Sequence, residues 1–207
     1  MTPLLVLLHG WGYDASFWRP LRDRLGSEVE TLAWDLGYFG EETLPMPERE
    51  AVAIGHSFGA LWFLHHRPFP WRGLVSINGF PRFAAAADFP DGVPMGQLKR
   101  LRAAVAGGKE TALVGFRQLC GDTDPPPPAA DLNRLLDDLD HLRDWDERPS
   151  QPDLALCGEA DKVVPPALSR AAFADECLHW HEGGHLLPQQ DPEWCADRIR
   201  AWLKRVT

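Results

Sequence analysis

Long apolar runs are missing from this chain. No stretch reaches the length needed to span a bilayer, which excludes a helical membrane protein. Paired cysteines are missing as well: Cys120, Cys157, Cys177 and Cys195 show no Cys-x-x-Cys spacing, so reduced thiols are the default. Positive charge is in deficit. With 21 Lys and Arg against 30 Asp and Glu the formal charge is −9, which argues against nucleic acid as a partner. A basic leader is absent from the apolar opening Met1 to Leu8, which runs straight into His9-Gly10-Trp11-Gly12. That opening reads as a core strand rather than a signal peptide, and a cytoplasmic protein is expected. Apolar content is plentiful. A chain of 207 residues with 44% hydrophobic content can bury one sizeable core and a small insertion, but hardly a second independent domain.

Strand-like and helix-like segments alternate, which predicts an α/β fold with a mostly parallel sheet covered by helices on both faces. Strands are expected at Leu4 to Leu8, Glu28 to Trp34, Ala51 to Ile54, Gly73 to Asn78, Leu154 to Cys157 and Cys177 to His181. Asp14 or Ser16 can cap a helix carrying Phe17, Leu21 and Leu25. The final helix is expected to start at Asp191-Pro192 and to bury Cys195, Ile199, Trp202 and Leu203. Between Asp35 and Glu50 two prolines and the lack of a helical period predict a loop crossover. That loop would leave one face of the sheet thinly covered and open to closure by a partner subunit. From Gly79 to Pro149 the strand pattern stops. Met95, Leu98, Leu101 and Val105, then Leu113 and Phe116, then Leu132, Leu135, Leu136, Leu139 and Leu142 recur at helical spacing, with Pro125 to Pro128 as a stiff spacer. Residues 79–149 are therefore expected to form a helical cap on a core made of 1–78 and 150–207, with Asp137, Asp138, Asp140 and Asp144 on a solvated face.

Chemistry enters at Gly55-His56-Ser57-Phe58-Gly59, between the apolar run Ala51 to Ile54 and the run Ala60 to Leu64. A strand that reverses into a helix within a few residues has no room for flanking side chains. The glycines then let Ser57 hold a strained backbone position with its hydroxyl exposed, as a nucleophile requires. His185, in Glu182-Gly183-Gly184-His185, sits on a loop that can bring a base over the sheet end. Asp161 follows the strand at Leu154 and can fix the tautomer of that imidazole, with Glu159 as the competing acid. The amides of Phe58 and Trp11 are placed to bind an oxyanion, and the Trp11 indole to line an acyl pocket. His9 reads as a turn residue. This acyl-transfer chemistry needs no metal and no cofactor, although His179, His181 and His185 share a spacing that hints at zinc.

Taken together, the Gly-x-Ser-x-Gly turn and the order serine, acid, histidine resemble the α/β-hydrolase superfamily. Gly79-Phe80-Pro81-Arg82-Phe83-Ala84, Val114 to Gly121 and Leu139 to Arg148, with His9-Gly10-Trp11-Gly12, are similar to the pimeloyl-ACP methyl ester esterases of biotin synthesis. That resemblance implies a serine carboxylesterase acting on an ester substrate linked to acyl carrier protein. It also implies aromatic substrate contacts at Trp11, Phe116, Phe80 and Phe83, and basic carrier contacts at Lys99, Arg100, Arg102 and Arg117, with Lys109 nearby. His56 and Phe58, which depart from the family pattern, are expected to resize the pocket. A short-acyl esterase or a thioesterase would use the same residues, and a non-catalytic ligand-binding protein would use the same fold. The oligomeric state stays open.

Overall fold

The structure, a computed structural model, describes residues 2–108 and 110–206. Its centre is a six-stranded sheet in the order β2-β1-β3-β4-β5-β6, with every neighbouring pair parallel. The strands are β1 Leu4–Leu8, β2 Glu30–Trp34, β3 Ala51–His56, β4 Trp71–Ile77, β5 Leu154–Gly158 and β6 Leu178–His181. β1 and β3 are buried at every position, as central strands covered on both faces must be. β2 starts at Glu30 rather than Glu28, because Gly26–Glu28 closes a 3-10 turn first.

Right-handed crossovers leave β1 toward one edge and β3 toward the other, so the connecting helices fall on opposite faces. On one face lies α1 (Arg19–Leu25), joined by the last long helix, which packs against it. On the other lie α2 (Phe58–His66) and, farther along the sheet, a helix over Pro166–Ala172. The Asp14 carboxylate accepts from Ser16 N and opens a 3-10 turn over Ala15–Trp18 that feeds α1. α2 ends at Arg67, whose left-handed φ of 43° precedes Pro68. The chain therefore reverses its sense of winding between β1 and β3. Outside the carboxyl ends of those two strands a crevice opens, the usual ligand position in such sheets.

Residues 35–50 cross from β2 to β3 without a helix. Large aromatics do the covering that a helix would have done. Trp34, fully buried, meets Trp62 and Phe63 of α2 and Phe69 of the following loop at ring separations of 5.6–5.9 Å, and its Nε1 donates to Pro45 O at 2.8 Å. At Trp34 the face is thus covered from within the chain.

Between β4 and β5 the chain leaves the sheet and forms α3 (Met95–Ala106), α4 (Glu110–Cys120) and α5 (Leu132–Asp144). α3 packs against both of the others, with Pro125 to Pro128 spacing α4 from α5. Asp131 caps α5 by accepting from Asn133 N and Arg134 N. Buried Leu135, Leu139 and Leu142 form the inner face of α5. Its outer face is less solvated than the charge pattern implies. Tyr38 Oη donates to Asp138 at 2.5 Å, and His141 Nδ1 lies 2.9 Å from the same carboxylate, whose burial raises its pKa. Asp140 is held by Arg102 and Arg143. The carboxyl side of the chain supplies α6 (Pro166–Ala172), α7 (Leu187–Gln190) and α8 (Pro192–Val206), the last with Asp191 capping Trp194 N at 3.0 Å.

Candidate active site

The turn from β3 into α2 shows why its glycines are required. A Cβ at Gly55 would lie 2.4 Å from the Ala60 backbone, and one at Gly59 would lie 2.2 Å from Leu8 O. Strand and helix meet there at backbone distance. Ser57, squeezed between them, takes φ 52°, ψ −119°, a conformation that non-glycine residues rarely adopt. Its amide donates to Ile77 O at 3.0 Å and its carbonyl accepts from Ala60 N at 3.0 Å, so the surrounding ladder imposes the strain. Phe58 is the first residue of α2, and its amide has no partner inside the helix.

His185 and Asp161 meet 24 residues apart in sequence, both with side chains about 1% exposed. His185 Nδ1 donates to Asp161 Oδ2 at 2.8 Å, since an ionised carboxylate only accepts, and this leaves Nε2 as the acceptor. Asp161 Oδ1 accepts from Val163 N and Val164 N, each at 2.8 Å. Three hydrogen bonds hold the carboxylate in one orientation. Glu159 is exposed, and its backbone pairs with His181 O instead.

Two residues missed by the motif reading hold the histidine loop. Asn78 sits at the end of β4 with φ 47°. Its Nδ2 donates to Gly184 O at 3.0 Å and to His185 O at 2.8 Å, while its Oδ1 accepts from Gly158 N at 2.8 Å. His56 Nε2 donates to the same His185 carbonyl at 2.8 Å. The His56 ring stacks on Phe17 at 4.4 Å, and burial, with His185 next to it, holds its pKa well below the ordinary value. His56 therefore supports the loop from behind and does not line the cavity described next. Phe58 is fully buried and stacks on Trp145 at 5.8 Å, also outside the cavity lining. The sequence signal for Asn78 was a polar residue at a strand end, which carries little information without the fold.

A cavity of about 350 Å³ reaches Ser57. Trp11, Phe80, Phe83 and Phe116 all line it, the Trp11 and Phe116 rings meeting edge to face at 4.8 Å. Trp11 is fixed by its Nε1, which donates to Leu135 O of α5 at 2.8 Å. Leu98 and Leu101 of α3 and Leu139 and Leu142 of α5 complete an apolar wall. A larger groove of about 540 Å³ beside Pro125 to Pro128 does not include Ser57 in its lining. His9 holds a turn: its Nε2 accepts from Leu36 N at 3.1 Å, and its Nδ1 donates to Gly10 O at 2.9 Å.

The basic residues named from the sequence separate into two groups. Lys99 and Arg100 are exposed on α3. Arg102 makes a two-pronged pair with Asp140, and Arg117 is tied to Asp122 at 2.7 Å while lying over the Tyr13 ring. Lys109 lies outside the described residues. The zinc spacing does not converge, because His181 faces Asp191 at 3.2 Å while His185 faces Asp161. Among the described residues no cluster of His, Cys, Asp and Glu is arranged to hold a metal ion, and no helix is long and apolar enough to cross a membrane.

Known proteins share this arrangement of elements. A pimeloyl-[acyl-carrier protein] methyl ester esterase of Xanthomonas oryzae is 29% identical, the match covering 88% of each chain. An esterase of the same name from Stenotrophomonas maltophilia is 30% identical over 88% of this chain and 86% of its own. The solved structure of an esterase from Exiguobacterium antarcticum superimposes with a TM-score of 0.78 at 17% identity, covering 98% of this chain and 92% of its own. Residues 42–198 match the Alpha/beta hydrolase family along the stretch that carries Ser57, Asp161 and His185. The chain belongs to the alpha/beta hydrolase family.

Proposed function

We propose that the chain is a serine carboxylesterase working by two-step acyl transfer, and that residues 79–149 are the cap over its substrate. The observation that carries this reading is the 2.8 Å Asp161–His185 pair combined with a strained Ser57 that lines an aromatic cavity. As the Ser57 hydroxyl attacks the ester carbonyl, His185 Nε2 takes its proton and Asp161 stabilises the imidazolium without accepting the proton itself. The oxyanion is held by the amides of Trp11 and Phe58. Collapse expels the alcohol, which receives the proton from His185. Water then attacks the acyl-serine with His185 as base, releasing the acid and restoring the serine.

The substrate we propose is the methyl ester of a pimeloyl group on acyl carrier protein, in the cytoplasm. The names of the relatives support it, as does the exposed pair Lys99 and Arg100 on α3 in a protein of charge −9, which offers an acidic carrier a landing point. Ser57→Ala is expected to lower hydrolysis of a small activated ester by about three orders of magnitude or more while the fold persists. A fluorophosphonate should label the parent chain and spare the mutant. Labelling that persists in the mutant moves the nucleophile elsewhere. For the substrate, the parent chain should rescue a biotin auxotroph lacking its pimeloyl-ester esterase, and Ser57→Ala should not; failure of both with an active protein removes the pimeloyl assignment.

A further inference from the structure

The lining of the cavity over Ser57 is apolar apart from Ser57, Gln97, Thr111 and one charged side chain, Lys162. Lys162 sits between Asp161 and Val163 in the loop that joins β5 to α6. An ordinary explanation would be that it neutralises Asp161. Asp161 has no need of it, because its two oxygens are occupied by His185 and by the amides of Val163 and Val164. Those two amide bonds form a tight turn around the carboxylate, and the residue at the tip of that turn is Lys162.

Lys99 and Arg100 are exposed on α3 and do not line the cavity. Arg82, Arg102, Arg117, Arg134, Arg143 and Arg148 each pair with a carboxylate. Among the described residues Lys162 makes no ion pair, although acidic residues outnumber basic ones by 30 to 21. A lysine can lay its methylenes along an apolar wall and keep its ammonium at the rim, and a charge beside low-dielectric walls is felt more strongly by a ligand than one on open surface.

From this we infer that the cavity takes an ester whose acyl part carries a negative charge beyond an apolar spacer, and that Lys162 receives that charge as a specificity-determining residue. The inference rests on the ester-hydrolase reading and narrows its substrate class. The shared chemistry is an anionic oxygen group, with two sources: a carboxylate at the far end of the acyl chain, or the phosphate of a pantetheine arm attached there.

Monomethyl esters of straight-chain dicarboxylic acids, in a series of chain lengths, are compared with the matching neutral dimethyl esters. A second arm compares pimeloyl methyl ester thioesters of pantetheine and of phosphopantetheine. The readout in each arm is the ratio of kcat/KM for the charged member to that for its neutral partner. Lys162→Gln is expected to lower the ratio by about tenfold in the arm that holds the true source, Lys162→Glu to lower it further, and Lys162→Arg to keep it near the parent value. Added salt should compress the parent ratio toward that of Lys162→Gln. A fall confined to the diacid arm assigns the carboxylate, and one confined to the pantetheine arm assigns the phosphate. Ratios within threefold of the parent in both arms, for both Lys162→Gln and Lys162→Glu, overturn the inference. Ser57→Ala run on the neutral diester separates the two layers: abolished turnover there keeps the esterase reading whichever way the charge ratios fall, and retained turnover removes that reading itself.

Discussion

At Asp161 a single side chain sets both the orientation and the tautomer of His185. Asp161→Asn has one oxygen for two tasks: if it goes on accepting from the Val163 and Val164 amides, an NH2 donor faces His185 Nδ1, and if it turns to Nδ1 as a neutral carbonyl, those two amides lose their acceptor. A drop of about four decades in turnover is expected, whereas Glu159→Gln, at an exposed side chain, should change turnover less than twofold. Steady-state kinetics on one activated ester ranks the two. His56 is the second residue with a measurable signature. Folding, by burial first, holds its pKa well below the ordinary 6.5, while the unfolded chain takes up a proton near that value. In the interval between, the unfolded state binds the extra proton, so stability is full above about pH 6.5 and declines as the pH falls. One such group contributes a slope of up to about 1.4 kcal/mol per pH unit. Urea unfolding at pH 7.0, 6.0 and 5.5 should show the decline, and His56→Gln should flatten it by roughly one proton's worth. An unchanged slope in the mutant would assign the proton to another group such as His66 or His179, whose pKa values are also lowered by burial.

Among the elements, the loop carrying His185 depends on hydrogen bonds from two strands. Asn78→Ala removes two donors and leaves Gly158 N without its acceptor, which is expected to cost about 2–3 kcal/mol of stability. It should also lower kcat by tenfold or more with a smaller change in KM, since displacement of the base alters reaction geometry more than binding. Denaturant midpoints and kinetics on the same sample check both. This clamp was invisible in the sequence because the groups that Asn78 binds, Gly158 N, Gly184 O and His185 O, lie 80 to 107 residues from it and are all backbone atoms. The nucleophile turn was legible for the opposite reason: Gly55, Ser57 and Gly59 are local, and each answers a steric demand within five residues. β1 and β3 were readable as unbroken apolar runs, and α5 by its leucine period. Strand ends shifted by two residues at β2, where a 3-10 turn consumes Gly26 to Glu28. Asp138 was misread as solvated because its partner, Tyr38, arrives from a loop 100 residues earlier.

Over the whole molecule, an acidic protein presents a local basic face on α3. Lys99 and Arg100 carry exposed charge there, whereas Arg102 is already neutralised by Asp140 and Arg117 by Asp122. Reversing Arg102 would set a glutamate against Asp140, which Arg143 also holds, and disturb the packing of α3 on α5, which would confuse a docking effect with a folding one. The cleaner variant is the double reversal Lys99→Glu with Arg100→Glu. Rim charges act mainly on the encounter rate and fade as salt shortens the screening length to about 8 Å at physiological strength. If the proposed carrier-linked ester is the substrate, the double reversal should lower the ratio of kcat/KM for the carrier-linked ester to kcat/KM for a small free ester by about tenfold at low salt. At 0.5 M salt, where the screening length falls to about 4 Å from about 30 Å at 0.01 M, parent and variant ratios should converge. Equal ratios at low salt would remove α3 as the docking face and leave recognition to the cavity, where the Lys162 series reads the substrate's own charge independently of any carrier.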